Sequence, residues 1–237
     1  MTDLSLDRRQ MLGAAVTAAA LAPAIANAQS VIVGNAPASS APAYAPKPLP
    51  FDPKTITGLS EKMLTSHHDN NYTAAVKRLA GIGSELGKLD IATAPGFVIN
   101  GLKREELFAQ NSMFLHELYF SCIGAPSKAG AKLTAAIEKD FGSEAKWRAE
   151  FIAMGKALGG GSGWVVLNYM ERDGRLINGW SMDHTMNFAG GTPIMAMDMY
   201  EHAYAIDYGS KAGAYVDAFM ATVNWSASDK RFARASA

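Results

Sequence analysis

Asp198-Met199-Tyr200-Glu201-His202-Ala203-Tyr204-Ala205-Ile206-Asp207-Tyr208 follows directly on the apolar run Pro193-Ile194-Met195-Ala196-Met197. The run reads as a strand, and it delivers a carboxylate into the interior with an imidazole four residues further on. Taking both groups out of water is costly unless something compensates, and a metal ion is the usual compensation. The remaining ligands must then come from elsewhere in the chain. The histidines are His67, His68, His116, His184 and His202, and there is one cysteine, Cys122. A single cysteine excludes an intramolecular disulfide and a cysteine-based zinc cluster, and it reads as a small buried hydrophobe.

The chain around this stretch has 237 residues, enough for one sizeable domain or two small ones. It is 49% hydrophobic and 19% charged, and its 22 basic and 22 acidic residues cancel. No basic run marks a nucleic-acid partner. No apolar stretch beyond the N-terminus is long enough to span a bilayer, so no membrane association is expected. Residues 1–28 read as an export signal: Arg8-Arg9-Gln10-Met11-Leu12 precedes an alanine-rich apolar run, and Ala26-Asn27-Ala28 is a small-x-small cleavage site. The arginine pair resembles a twin-arginine signal, with Asp7 where Ser or Thr is common, so a periplasmic location is expected. Residues 29–48, rich in Ala, Pro, Ser and Gly, read as a flexible linker that joins no core. The folded part begins at Leu49-Pro50-Phe51-Asp52.

From there the first half reads as helix. Ser60 can cap a helix over residues 60–80, with Met63, Leu64, His67, Asn71, Ala74 and Ala75 on one stripe and a break expected at Gly81. Residues 103–122 form a second helix, apolar most of the way round and therefore buried, with His116 in its middle. Two further helices are expected over 128–141 and 143–158. Gly159-Gly160-Gly161-Ser162-Gly163 then breaks the pattern; it lacks the ending of a phosphate loop and reads as a flexible lead into a strand. Residues 164–169 and 176–181 read as strands joined at Arg172-Asp173-Gly174-Arg175, with 193–197 as a third and helical material from 200 onward. The expectation is an α+β fold: an N-terminal long-helix hairpin (49–126), then a C-terminal three-stranded antiparallel sheet with helices (127–237).

His67 lies on the inward stripe of the first helix and His116 inside the buried second one. With Asp198 and His202 they make a His₃Asp set of nitrogen and oxygen donors, which suits Fe, Mn or Zn better than Cu(I) or Ca. At this point the sequence resembles the iron/manganese superoxide dismutase family. Asp198-Met199-Tyr200-Glu201-His202-Ala203-Tyr204 is similar to that family's metal-binding signature, usually written D-x-W-E-H-x-Y. Weaker matches follow in order: Leu49-Pro50-Phe51-Asp52, Asp140-Phe141-Gly142-Ser143, Gly161-Ser162-Gly163-Trp164, Gly191-Thr192-Pro193 and Val223-Asn224-Trp225.

The resemblance implies conversion of superoxide to oxygen and hydrogen peroxide at one Fe or Mn ion per subunit. It places the ligands at His67, His116, Asp198 and His202. The residues do not choose between the two metals; Fe is the preferred expectation. Glu201 matches the glutamate that crosses the family's dimer interface to a partner's histidine ligand, implying a homodimer, and Tyr200 stands where the signature has Trp. His68, about 100° round the helix from His67, is placed outside the ligand set.

Other positions depart from the family pattern. Asn71 and Ala75 stand where a His and a Tyr usually line the substrate channel, and Ala205 replaces the Tyr that pairs with that His. The glutamine set against the metal's solvent comes in the family from one of two places, here held by Ser112 and Met182. His184, next to Met182, is the candidate for that outer-sphere role. These departures keep a second reading open: a periplasmic Fe/Mn-binding protein that retains the fold and ligands without the dismutase activity.

Overall fold

The computed structural model describes residues 44–237. The expected export signal and all but the last residues of the expected linker lie outside the described residues.

The first helix begins where Ser60 accepts the Met63 N–H at 3.1 Å. Ser60 is itself held by Asp207, 147 residues away, through its N–H and hydroxyl at 2.7 and 2.6 Å. α1 (Glu61–Ser66) runs into a π-helical segment (His67–Tyr72) and continues as α2 (Thr73–Lys88). The π turn changes which residues face inward. Its wider winding carries the buried face from His67 to Tyr72, five residues on, and then to Ala75, Val76, Leu79 and Ile82. The expected stripe assumed a regular helix; Asn71 is half-buried instead and Ala74 is exposed.

Gly81 does not stop the helix, which runs seven residues further. A glycine inside a helix costs about 1 kcal/mol. Burial of Leu79 and Ile82 on either side outweighs it, at roughly 1.5–3 kcal/mol per side chain. α3 (Gly96–Ser121) lies against α2 and buries Ala109 and most residues from Ser112 to Phe120.

α4 (Ala131–Phe141) ends at Gly142, whose φ of +83° lets its N–H reach the Glu138 carbonyl at 2.9 Å. Ser143 then caps α5 (Glu144–Ala157). β1 (Trp164–Met170) is the centre of an antiparallel sheet with β2 (Arg175–Ser181) and β3 (Gly191–Asp198) on its flanks. The β1–β2 turn spans Glu171 to Gly174, since Met170 pairs with Arg175; Gly174 closes it at φ +60°. α6 (Ala205–Tyr208), α7 (Ala212–Ala221) and α8 (Ser226–Ala235) complete the chain. A helical N-terminal part followed by a three-stranded antiparallel sheet with helices is the expected α+β fold.

Two register facts position the site. Trp164 pairs with Asp198 across β1 and β3, so the last residue of β3 sits beside the first of β1. α3 packs on β3, bringing His116 down onto the same end of the sheet. At the other end of the described chain, Tyr44 donates to Gln110 at 3.1 Å. Lys47 is tied three ways: its N–H donates to the Tyr72 hydroxyl (3.0 Å), its carbonyl accepts His68 Nε2 (2.8 Å), and its ammonium pairs with Glu117 (2.5 Å). These residues, read from sequence as the end of a linker, fasten the backs of the two helices that carry His67 and His116. Among the described residues, no helix is long and apolar enough to cross a membrane.

Candidate metal centre

β3 ends in Asp198, and the chain turns at once. Asp198 Oδ1 accepts the N–H of Tyr200 at 2.8 Å, a local turn that leaves Oδ2 free to face inward. The Asp198 carbonyl accepts the hydroxyl of Tyr215 from α7 at 2.7 Å, fixing the backbone from the other side. A single helical turn, Glu201–Ala203, then swings His202 back over the carboxylate.

The structure brings His67, His116, Asp198 and His202 together: one donor atom from each lies within 4.8 Å of all the others. Three imidazole nitrogens converge on the same oxygen, Asp198 Oδ2. The distances are 3.1 Å from His67 Nε2, 3.2 Å from His202 Nε2 and 3.6 Å from His116 Nε2. His67, His116 and Asp198 are fully buried, and a quarter of the His202 side chain is accessible.

This arrangement calls for a positive centre. His116 Nδ1 donates to the Ser112 carbonyl one turn back at 2.7 Å, so in the neutral ring Nε2 carries the lone pair. That lone pair is buried, has no hydrogen-bond partner and faces a carboxylate oxygen. Burial pushes His116 down to about 3 and also lowers His67, so both rings are uncharged at neutral pH. Burial alone would raise Asp198, but His202 and His67 outweigh it and hold the carboxyl well below its usual range. The His116 lone pair turned on an ionised oxygen is repelled by it unless a cation lies between them. The three nitrogen-to-Oδ2 distances fit one: donors about 2.1 Å from a metal at 90–120° lie about 3.0–3.6 Å apart.

The C-terminal part of the chain, residues 128–231, matches the family model of the iron/manganese superoxide dismutases, C-terminal domain. A superoxide dismutase [Fe] of Cupriavidus metallidurans is 59% identical over 192 residues, covering 81% of this chain and 98% of that protein. A superoxide dismutase [Fe] of Aquifex pyrophilus is 32% identical over 194 residues, 77% of this chain and 88% of its own. A superoxide dismutase [Mn] of Halobacterium salinarum is 32% identical over 197 residues, 81% of this chain and 96% of its own. The chain belongs to the iron/manganese superoxide dismutase family.

Within that family site, His184 lies directly beside the ligand cluster. It is 6% exposed and held on every side. The Trp164 indole N–H donates to His184 Nδ1 at 2.9 Å, and Asn111 donates to its backbone carbonyl at 2.7 Å. The ring stacks on Tyr200 (4.8 Å, 13°) and meets the Phe108 ring edge-on at 4.6 Å. Burial pushes it down to about 4. A neutral ring that accepts at Nδ1 carries its proton on Nε2, so His184 is an N–H donor beside the cluster, 6.1 Å from His116 between ring centroids. Tyr200 stacks in turn on His202 at 5.4 Å and 17°, so the Trp-to-Tyr change leaves an aromatic plate between His184 and a candidate ligand.

The other candidates divide. Ser112 sits under His116 and serves it through its carbonyl; Met182 is exposed. His68 binds Asp69 and Lys47, outside the cluster. Asn71 and Ala75 line a common cavity, and Ala205 is exposed at the start of α6. Glu201 is exposed and has no hydrogen-bond or ion-pair partner among the described residues. Cys122 is buried in the core. Sequence reasoning missed Trp164 as the partner of His184 and Tyr215 as the support of Asp198. Nothing local in sequence marks a hydrogen bond spanning 17–20 residues. The π turn buries Tyr72, whose hydroxyl donates to Glu117 at 3.0 Å, away from the ligand cluster.

Proposed function

We infer that this chain converts superoxide to oxygen and hydrogen peroxide at one Fe or Mn ion held by His67, His116, Asp198 and His202. The observation that carries the reading is the convergence of three imidazole nitrogens on Asp198 Oδ2 at 3.1, 3.2 and 3.6 Å in a buried pocket. Fe is the preferred metal, supported by the 59% identical relative that is named an Fe enzyme.

A metal held by His67, His116, Asp198 and His202 would supply a one-electron couple. One superoxide gives up an electron and leaves as oxygen; a second gains it and, with two protons, leaves as hydrogen peroxide. The chain's own groups set the conditions. Asp198 contributes the negative charge that favours the higher oxidation state. The Ser112 carbonyl holds His116 in one tautomer and raises its basicity. The apolar surroundings of His67 keep bulk water off that side, while the partly accessible His202 marks the open one. His184 presents a fixed N–H beside the cluster, the outer-sphere donor that neither Ser112 nor Met182 supplies.

Two further proposals accompany this one. Glu201, exposed and unpartnered next to His202, supports a homodimer in which it reaches a ligand histidine of the partner subunit. The Arg8-Arg9 segment supports export, through the twin-arginine route, to the periplasm.

The test is metal analysis paired with a superoxide-removal assay on the chain purified from residue 29 onward. Stoichiometric Fe or Mn with rapid removal is expected. A metal-replete protein with no activity would refute the dismutase reading and leave a metal-binding protein of the same fold.

A further inference from the structure

Four segments far apart in sequence meet around a cavity of ≈ 240 Å³: residues 47–50, the π-helical segment, the end of α3, and Arg231 on α8. It is smaller than the roughly 300–1,000 Å³ of pockets for drug-sized ligands, so it suits a small molecule. His67, His116, Asp198 and His202 are not among its lining residues.

Most of its polar groups are committed to one another. Both carboxylate oxygens of Glu117 are taken, Oε1 by the Tyr72 hydroxyl at 3.0 Å and Oε2 by the Lys47 ammonium at 2.5 Å. His68 is held between Asp69 and the Lys47 carbonyl. Arg231 differs. Its Nη2 donates to Ser121 Oγ at 2.7 Å. Ser121 lines this cavity but not the neighbouring one bordered by Phe114, Pro193 and Arg234, so that bond brings the guanidinium end here. Nη1 is buried and has no hydrogen-bond partner among the described residues. A buried donor left unpaired is destabilising, and a charged one more so, which calls for an acceptor. Lys47 and Arg231 against Glu117 leave one positive charge at the cavity, the match of a monoanion. The other walls, Pro48, Leu49, Pro50 and Phe120, are apolar. A carboxylate carried on an apolar body meets both demands, since its planar oxygens fit a guanidinium.

We propose that this cavity binds small organic monocarboxylates, the carboxylate on the Arg231 guanidinium and the apolar body against Leu49, Pro50 and Phe120. Phe120 meets the His67 ring edge-on at 5.1 Å, so an occupant stands one ring away from the metal centre without joining it. The site goes beyond the metal-centre reading and does not depend on it.

The experiment titrates the metal-loaded chain with benzoate by calorimetry, with inorganic phosphate and benzyl alcohol as controls. Benzoate should bind at one site with a Kd of about 1 mM or tighter, the scale for a ligand of so few atoms. Both controls should bind at least about tenfold more weakly, because phosphate lacks the apolar body and benzyl alcohol the charge. R231Q should weaken benzoate at least about tenfold, and R231K by less. E117Q should tighten it about two- to fivefold, a change that loss of fold cannot produce. Saturating azide, which ligates metals, should leave benzoate affinity unchanged. Absent benzoate binding, equal affinity for phosphate, native affinity in R231Q, weaker binding in E117Q, or displacement by azide would each overturn the proposal.

Discussion

The indole N–H of Trp164 donates to Nδ1 of His184 at 2.9 Å, and this bond decides which nitrogen of His184 carries the proton. Trp164 is the first residue of β1 and pairs across the sheet with Asp198, so one strand position orients both the candidate outer-sphere donor and the carboxylate. Replacing Trp164 with Phe keeps an aromatic ring but removes the donor, freeing His184 to take either tautomer. Metal content should stay native while kcat/KM falls about 10–100-fold, the usual cost of losing a group that orients a metal-site residue. The reduction potential and the pH profile of activity should shift in the same direction in W164F and H184A. Native potential and profile in both would remove His184 from the outer-sphere role.

The four-residue cluster makes a separable prediction about metal retention. Asp198→Asn keeps the shape but removes the charge on which the three imidazoles converge, and His202→Ala removes one donor. Either variant, purified and dialysed, should hold less than about a tenth of native Fe or Mn, since a lost ligand costs at least what a lost supporting group does. Undiminished metal by elemental analysis in H202A would refute the ligand assignment.

Acid should destabilise the metal-free chain over a defined window. His116 is pushed down to about 3 and His184 to about 4 by burial, and burial also lowers His67. The unfolded chain takes up these protons near 6.5 while the fold resists them, so the unfolded state binds more protons and stability rises with pH. The contribution is therefore complete above about pH 6.5 and is lost as pH falls toward 3. Asp198, held low in the fold, adds a further loss below its ordinary value of 3.8. Melting temperature of the apoprotein should fall steadily from pH 6.5 to 4 and stay level from pH 7 to 8.5. A melting temperature that rises on acidification would contradict the assignment of neutral buried rings.

Gly163 has a role that its glycine-rich surroundings conceal. Its φ is +138°, and a Cβ there would lie 2.0 Å from the carbonyl oxygen of Ser181. Backbone cannot move aside as a flexible side chain can. Gly163→Ala should cost about 3–5 kcal/mol through strain and overpacking, with metal occupancy falling because Trp164 is displaced. Gly160→Ala, with open space around its Cβ but a φ of +81°, should cost only about 1–2 kcal/mol. Equal melting temperatures for the two variants would show that the close approach at Gly163 does not matter.

The sequence by itself determined the element types and the ligand candidates. Alternating and 3.6-residue patterns report which face is buried, so α3, α5 and the three strands were legible, as was the α+β order. Asp198 and His202 were legible because their spacing is local, and His67 and His116 because each stands in an apolar segment. The family signature joined the four. The tertiary structure decided what depends on more than one segment. The π turn at His67–Tyr72 carries the buried face past Asn71 to Tyr72 and Ala75, a change of winding with no local mark in the sequence. Gly81 lies inside a continuous helix because packing on α3 outweighs its propensity. Trp164 with His184, Tyr215 with Asp198, and Lys47 across the backs of two helices are contacts between distant residues, whose partners are fixed only when the elements pack. Composition and periodicity record burial, which is a property of one segment. Hydrogen-bond partnership and charge placement belong to pairs, and the fold alone chooses the pairs.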